Sequence, residues 1–82
     1  MRIRPIAVKP LNDYILSVMF SNGEHRYFDV KPYLEIPFFA PLKNMEQFKQ
    51  VFVNDFTVEW KNCRDIAPHE LYDDSMPAPT PV

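Results

Sequence analysis

A β-hairpin around Gly23, which is the only glycine in the chain, is the feature that most constrains the fold. Two runs rich in β-branched and aromatic residues flank Asn22-Gly23 within residues 14–30. Asn-Gly readily supplies the positive φ that tight β-turns need, so the two runs predict antiparallel strands joined by a short turn. The rest of the chain is expected to continue this sheet or to pack against it.

Two registers of this hairpin differ in the residue that faces Leu16. A two-residue Asn-Gly loop pairs Leu16 with Asp29, which sets a carboxylate on the apolar face. A three-residue loop, with Gly23 as the left-handed bulge residue, pairs Leu16 with Phe28 instead. Since a slip of one residue turns a whole strand face over, the choice decides which side chains are buried. We favour the three-residue loop because it collects the apolar side chains on one face.

The favoured register gives the hairpin one apolar face and one mixed face. The apolar face holds Tyr14, Leu16, Val18, Phe20, Phe28 and Val30. It also holds Arg26, whose stem is expected to pack while its guanidinium reaches solvent. The mixed face holds Ser17, Met19, His25 and Tyr27. Because this second face is not purely polar, Met19, His25 and Tyr27 are candidates for a surface that meets a partner.

The flanking segments predict an α+β fold with a small antiparallel sheet. Residues 3–9 alternate as a strand, and Pro5 favours a sheet edge because proline cannot donate to a ladder. Together with the hairpin they form a three-stranded meander. Residues 51–53 and 56–60 predict a C-terminal strand pair, and in the second strand Phe56, Val58 and Trp60 share the buried face. Phe52 is assigned to the buried side of the short helix that precedes the pair. One short helix over residues 45–50 is expected to start at the cap residue Asn44.

Helical turns and loops are expected to fill the remaining positions up to residue 74. Asp29 can accept hydrogen bonds from the amides that follow it, at the start of a turn. The prolines on either side of Phe38-Phe39 exclude a regular helix, so this loop is expected to plug the sheet or to expose one ring to a partner. Pro68 opens a last helical turn whose Leu71 folds back on the sheet. Residues 1–74 therefore form one predicted domain, and the proline-rich residues 75–82 form a disordered or polyproline II tail without a core role.

Charge and cysteine content limit the partners that we expect. The net charge of −2 and the absence of a basic cluster predict no nucleic-acid partner. The single cysteine suits a reducing cytoplasm, and no apolar run approaches the length of a membrane span. The first residues do not resemble a signal peptide. The expected location is the cytoplasm, with no membrane partner.

The sequence contains no recognisable catalytic, cofactor or metal motif. Cys63 and His69 are close in sequence, but no glycine-rich oxyanion site accompanies them. Adding Asp65 and Asp73 does not produce the spacing of a zinc site. We therefore expect no enzyme, no cofactor and no metal. Trp60 lies in an alternating strand, which predicts a core position for it.

Several short motifs, taken in order, resemble a known family of small bacterial proteins. They include SNG around Gly23, Asp29-Val30, and VEWKN around Trp60, followed by Asp65-Ile66 and Leu71-Tyr72. Over residues 5–72 this pattern resembles the family catalogued as domain of unknown function 2442. The positions that carry the resemblance are Gly23, Asp29, Phe48, Trp60, Asp65 and Leu71. Cys63 stands where the family usually has glycine, which disfavours a positive φ in the turn after Trp60.

The resemblance implies a small α+β domain with no established enzymatic activity and no known cofactor. It also implies a neighbouring gene for a second small protein, in pairs that look like toxins and antitoxins. From these points we expect a non-enzymatic protein-interaction module that binds itself or the small neighbouring-gene product as an antitoxin-like partner. Its candidate interaction surface is Met19, His25, Tyr27, Phe38 and Phe39. The alternative is a small-ligand-sensing homodimer with a pocket between the sheet and the Phe38-Phe39 loop.

Overall fold

The computed structural model describes residues 3–61 and 64–78 and contains two antiparallel sheets within them. In chain order the elements are β1 (Pro5–Pro10), β2 (Ile15–Phe20), β3 (His25–Asp29), α1 (Met45–Phe48), β4 (Phe52–Val53), β5 (Val58–Trp60), β6 (Arg64–Asp65), α2 (Pro68–Asp73) and β7 (Met76–Pro77). Short 3-10 turns occupy Asn12–Tyr14, Lys31–Glu35 and Ala40–Lys43. The first sheet has the strand order β1-β2-β3-β7, and the second has the order β4-β5-β6. The predicted α+β class is confirmed.

The hairpin adopts the register that follows from a three-residue loop. Leu16 lies opposite Phe28, and the Val30 amide donates to the Tyr14 carbonyl at 2.9 Å. Gly23 has a φ of 90°, in the left-handed region where L side chains are strained. Both the register and the role of Gly23 are therefore confirmed.

One hydrophobic core lies between the first sheet and the elements that cover its inner face. Its fully buried members come from β2, β3, β5, the two helices and the turns that connect them, namely Leu16, Val18, Phe20, Phe28, Val30, Leu42, Phe48, Val58, Trp60, Ile66 and Leu71. The Trp60 indole Nε1 donates to the Phe48 carbonyl at 2.9 Å, so the one polar atom of this ring is paired. The predicted core position of Trp60 is confirmed.

Two phenylalanines that the sequence pattern places in the core are exposed. Phe56 precedes β5, because the Asn54 side chain accepts hydrogen bonds from the Phe56 and Thr57 amides at 2.7 Å and extends the turn by two residues. Thr57 is buried in its place, and its hydroxyl donates to the Ile66 carbonyl. In β4, which has only two residues, Phe52 is exposed and Val53 packs against the core.

Residues 75–78 belong to the fold, contrary to the prediction of a disordered tail from residue 75. Met76–Pro77 pairs with β3 and adds a fourth strand to the predicted meander. Ser75 is buried, and it binds the Arg26 guanidinium through its hydroxyl at 2.5 Å and its carbonyl at 2.9 Å. The expectation that the Arg26 head reaches solvent is therefore wrong, since Ser75 supplies acceptors for it. Residues 79–82 lie outside the described residues.

The second sheet is also larger than predicted, because β6 adds a third strand to the expected pair. Its β5–β6 connection contains Asn62 and Cys63. Both lie outside the described residues. The predicted effect of Cys63 on the turn after Trp60 therefore stays a prediction. At α1 the Asn44 side chain accepts from the Gln47 amide at 3.2 Å, which confirms the cap, although the helix ends at Phe48. The Lys31 amide donates to the Asp29 carboxylate at 2.9 Å, as predicted.

Candidate interaction surface

The first sheet has an outer face that is turned away from the core. It is formed by Ala7, Lys9, Ile15, Ser17, Met19, His25, Tyr27, Asp29 and Met76. The strand register arranges these side chains in rows, with Met19 beside His25 and Tyr27 beside Met76. Met76 is 62% exposed and Met19 is 37% exposed. The fold thus brings together the three strand residues that the sequence predicted for a partner surface, and it adds Met76.

A groove of about 540 Å³ occupies one end of the outer face. Its lining residues are Leu11, Asn12, Ile15, Tyr27, Asp29, Asp74 and Met76. Most of these side chains are apolar, and the carboxylates of Asp29 and Asp74 stand at its border. We call this cavity the sheet groove.

The turn that walls the sheet groove has an unusual backbone. Asp13 and Tyr14 both have a positive φ, 65° and 60°, which costs a non-glycine residue roughly 1–2 kcal/mol. Several contacts hold this turn. Among them, Lys31 Nζ donates to the Asp13 carbonyl at 2.9 Å, and the Tyr14 and Phe48 rings pack in a T-shaped arrangement with their centroids 5.3 Å apart. The wall is therefore fixed by the surrounding structure. Backbone strain of this kind clusters at functional sites.

A second groove of about 360 Å³ adjoins the sheet groove and shares Asp29 and Asp74 with it. We call it the turn groove, because Pro32, Tyr33 and Ile36 of the Lys31–Glu35 turn and the residue after it line its other side. The Tyr33 hydroxyl donates to a carboxylate oxygen of Glu70 at 3.1 Å. Burial of the ring, together with this carboxylate, raises the pKa of Tyr33 to about 12.

The junction between the two grooves is negatively charged. Lys31 Nζ is 3.1 Å from the Asp29 carboxylate and 3.2 Å from that of Asp13. One positive charge is therefore shared between two negative charges. Within residues 3–61 and 64–78 the carboxylate of Asp74 forms no ion pair. A further negative charge, that of Glu70, lies beside Tyr33.

Ser17 and His25 form a close polar pair on the other half of the outer face. The Ser17 hydroxyl oxygen is 2.5 Å from His25 Nε2, above a small pocket of about 140 Å³ that Lys9 and Met19 also line. Nucleophilic catalysis would also need two free N–H donors for an oxyanion. Since β2 lies between β1 and β3, the ladders take up its amides, and the described residues offer no such donor pair here. The pair orients the imidazole, whose plane is nearly perpendicular to the Tyr27 ring with the two ring centroids 5.7 Å apart.

The predicted surface residues of the loop are separated by the fold. Phe39 is buried in the core, so its prediction as a surface residue is wrong. Phe38 is 51% exposed, and its ring lies under the Arg64 guanidinium at 5.4 Å. The loop therefore plugs the core with one ring and exposes the other, and neither ring lines the turn groove.

Of the residues that line the two grooves, only Tyr27 was predicted as part of an interaction surface. The missed residues include Leu11, Ile15, Asp74 and Met76. Ile15 could have been found, because it alternates with Ser17 and Met19 along β2. Met76 gave no signal, since a strand of two residues has no period and the neighbouring prolines suggest a tail. Leu11 and Asp74 are brought to the face by a turn and by the end of α2, which no local pattern predicts.

A polar pocket of about 240 Å³ lies in another part of the molecule. Its lining residues are Leu42, Gln47, Gln50, Trp60, Lys61 and Arg64. Two cations and two amides make this pocket strongly polar. Among residues 3–61 and 64–78 no three His, Cys, Asp or Glu side chains are placed to hold a metal ion. None of the described helices is long and apolar enough to cross a membrane.

Comparisons with known proteins connect this chain to one solved structure. Curated protein sequences contain no match to it. The crystal structure named "Putative DNA Binding Protein NE0471", from Nitrosomonas europaea, is similar, with 28% sequence identity and a TM-score of 0.79. The match covers 90% of this chain but 49% of the other, so this chain spans about half of its length.

This similarity contradicts the expectation that nucleic acid is not a partner. That expectation came from the net charge of −2, whereas the Nitrosomonas europaea protein is named for DNA binding. Net charge was a poor guide to nucleic-acid binding, because it averages over the whole surface and hides local cations such as Lys61 and Arg64.

Family assignment rests on a match that extends over almost the whole described chain. The model of the family DUF2442, described as a protein of unknown function, matches residues 5–77. The matched range includes every strand, both helices and the outer face with its two grooves. This chain belongs to the DUF2442 family.

Proposed function

We propose that this chain is a non-enzymatic interaction module whose outer face binds a protein partner. The observation that carries the proposal is the apolar, partly exposed strip of Ile15, Tyr27 and Met76 along the sheet groove. Contiguous apolar surface of this kind marks interaction sites in soluble proteins. Tyrosine and methionine are also among the side chains enriched in interfaces.

The face is a better binding site than the edges of the sheet. The outer edge of β3 is paired with β7, and Pro77 within β7 has no N–H to offer a further strand. At the other edge β1 packs against β4. A partner that added a strand would have to displace one of these elements, whereas the outer face is open.

A small ligand fits the same surface less well. Ligand pockets usually enclose most of the ligand, but Met76 at the border of the sheet groove is 62% exposed. The alternative of a ligand-sensing homodimer predicts that compounds raise the melting temperature and that the chain is dimeric without a protein partner. A thermal-shift screen and light scattering on the purified chain test both points.

The proposal is tested by selecting short displayed peptides on the chain and measuring their affinity for variants. Met19→Gln and Met76→Gln remove exposed apolar side chains from the outer face, and we expect each to weaken binding severalfold. Phe56→Gln is the matched control, because Phe56 is 56% exposed but lies before β5. Failure to select any peptide, or loss of binding with Phe56→Gln alone, would overturn the proposal.

DNA binding is the second candidate function, and the similarity to the Nitrosomonas europaea protein favours it. The polar pocket, with Lys61 and Arg64, offers donors that suit phosphate oxygens. The outer face is a poor site for DNA, since the carboxylates of Asp29 and Asp74 repel a phosphate backbone. Because this chain matches about half of the other protein, the DNA-binding part of that protein can also lie in the unmatched half.

Fluorescence anisotropy with a labelled duplex tests this second candidate. We expect binding at low salt that weakens as salt rises, and weaker binding with the double variant Lys61→Gln, Arg64→Gln. Lys9→Gln is the control for a cation outside the polar pocket. A duplex that does not bind at low salt would remove DNA from the candidates for this chain.

An antitoxin-like role for the interaction module stays a prediction from the family resemblance. It requires that the small neighbouring-gene product inhibits growth and that this chain relieves the inhibition. Co-expression with that product, using the chain and its Met76→Gln variant, provides the test. A product that does not inhibit growth would exclude this role but not the interaction itself.

A further inference from the structure

We infer that the segment that binds the outer face carries a lysine or arginine between apolar side chains. The inference rests on the proposed function and names the chemistry of the partner. It follows from the way the sheet groove and the turn groove meet at Asp29 and Asp74.

Both grooves have apolar walls, and the carboxylates lie between them. Ile15, Tyr27 and Met76 line the sheet groove, while Pro32 and Ile36 line the turn groove. An extended segment that fills both grooves must therefore cross the carboxylates at their junction. Apolar side chains of the segment fit the two ends, and the middle position faces negative charge.

The charge at the junction determines what that middle position can be. An apolar side chain there would remove water from the carboxylates without replacing its hydrogen bonds, which is unfavourable. A lysine or arginine side chain can lay its stem along the apolar wall and place its cation beside the carboxylates. An acidic side chain would be repelled.

The existing contacts leave this negative charge only partly balanced. Lys31 is shared between Asp13 and Asp29, and Asp74 makes no ion pair with the described residues. Glu70 and Asp74 also contribute to the raised pKa of Tyr33, in addition to burial, which is consistent with a negative potential along the turn groove. A cation from the partner would complete this arrangement.

The test uses peptides selected by display on the unmodified chain, together with synthetic copies of a selected peptide. We expect the selected sequences to be enriched in lysine or arginine flanked by apolar residues. The double variant Asp29→Asn, Asp74→Asn should weaken binding of such a peptide by about two- to tenfold, the range for one or two partly exposed ion pairs. Asp55→Asn is the control for an exposed carboxylate elsewhere. Rising salt should weaken binding to the unmodified chain more than to the double variant.

The outcomes separate this inference from the proposed function. Peptides without basic residues that lose affinity with Met76→Gln but not with the double variant would overturn the inference and leave the proposed function standing. Peptides that lose affinity with neither variant would overturn both. Because Asp29 caps the Lys31 amide, Asp74→Asn alone is measured as well, and its melting temperature should equal that of the unmodified chain. If the double variant unfolds, the loss of affinity with Asp74→Asn decides the inference.

Discussion

At the scale of single residues, Arg26 shows how a partly buried charged side chain can be accommodated on the core-facing side of a hairpin. It lies opposite Val18 in the hairpin, and its guanidinium binds Ser75 and Glu24 while it stacks on the Tyr72 ring at 4.9 Å. The hairpin register, which the sequence predicts, places Arg26 on this face. Its partner Ser75 is 49 positions away, and no local pattern indicates a contact over that distance.

Replacing Arg26 by lysine should destabilise the protein although the charge is kept. Lysine cannot reproduce the planar fork that binds the Ser75 hydroxyl and carbonyl together, so we expect a loss of about 1–3 kcal/mol in the free energy of unfolding. Urea denaturation measures this loss. Arg4→Lys, at an exposed position, is the matched control and should change stability by less than about 0.5 kcal/mol. Equal effects of the two substitutions would contradict the role assigned to Arg26.

Tyr33 should make stability depend on pH in the alkaline range. Its pKa rises from 10.0 to about 12 on folding, so the folded state keeps a proton that the unfolded state loses. The stabilisation is therefore fully present below pH 10 and is lost as the pH rises from 10 to about 12. Urea denaturation across this range should show a smaller decline for Tyr33→Phe than for the unmodified chain. Tyr27→Phe is the control, and an identical decline in both variants would refute the prediction.

At the scale of elements, the hairpin is the part of the fold that the sequence specifies best. Its register follows from alternation and from the requirement for a left-handed residue at Gly23. A Cβ added to Gly23 would meet no atom within 4 Å, so only the backbone conformation demands glycine there. The alternation of apolar residues along both strands and the turn signal at Asn22-Gly23 indicate the same register, which is why this prediction succeeded.

Substitution of Gly23 should therefore act through the backbone alone. We expect Gly23→Ala to lower the free energy of unfolding by about 1–2 kcal/mol and Gly23→Asn to lower it less, because asparagine tolerates a positive φ. Thermal or urea denaturation of the two variants gives the comparison. A Gly23→Ala variant as stable as the unmodified chain would show that the turn relaxes to another conformation.

The short strands β6 and β7 are the part of the fold that sequence reasoning does not reach, whereas β4 falls within the strand predicted over residues 51–53. β6 and β7 have two residues each, which is too short for a period of two to be visible. Their positions depend on long-range contacts, such as the hydrogen bond from the Ala78 amide to the His25 carbonyl at 3.0 Å. The error at Phe56 has a local cause, because the Asn54 side chain accepts hydrogen bonds from the Phe56 and Thr57 amides and delays the start of β5.

At the scale of the whole molecule, the sheet divides the described chain into a packed side and an open side. Most of the aromatic residues, which are candidates for partner binding in the sequence, pack in or against the core. Phe39, Phe48 and Trp60 are buried examples. Met19, His25 and Tyr27 were predictable as a surface because alternation fixes the faces of a strand. The grooves beside them were not, since turns and the C-terminal strand from distant parts of the chain complete them.

The outer face is tested most directly by nuclear magnetic resonance of the labelled chain during titration with a selected peptide. We expect the amide signals of Ser17, Tyr27 and Met76 to shift as peptide is added, while those of Phe38 and Phe56 stay in place. The largest shifts at Phe38, at Phe56 or around the polar pocket, with an unchanged outer face, would contradict this expectation.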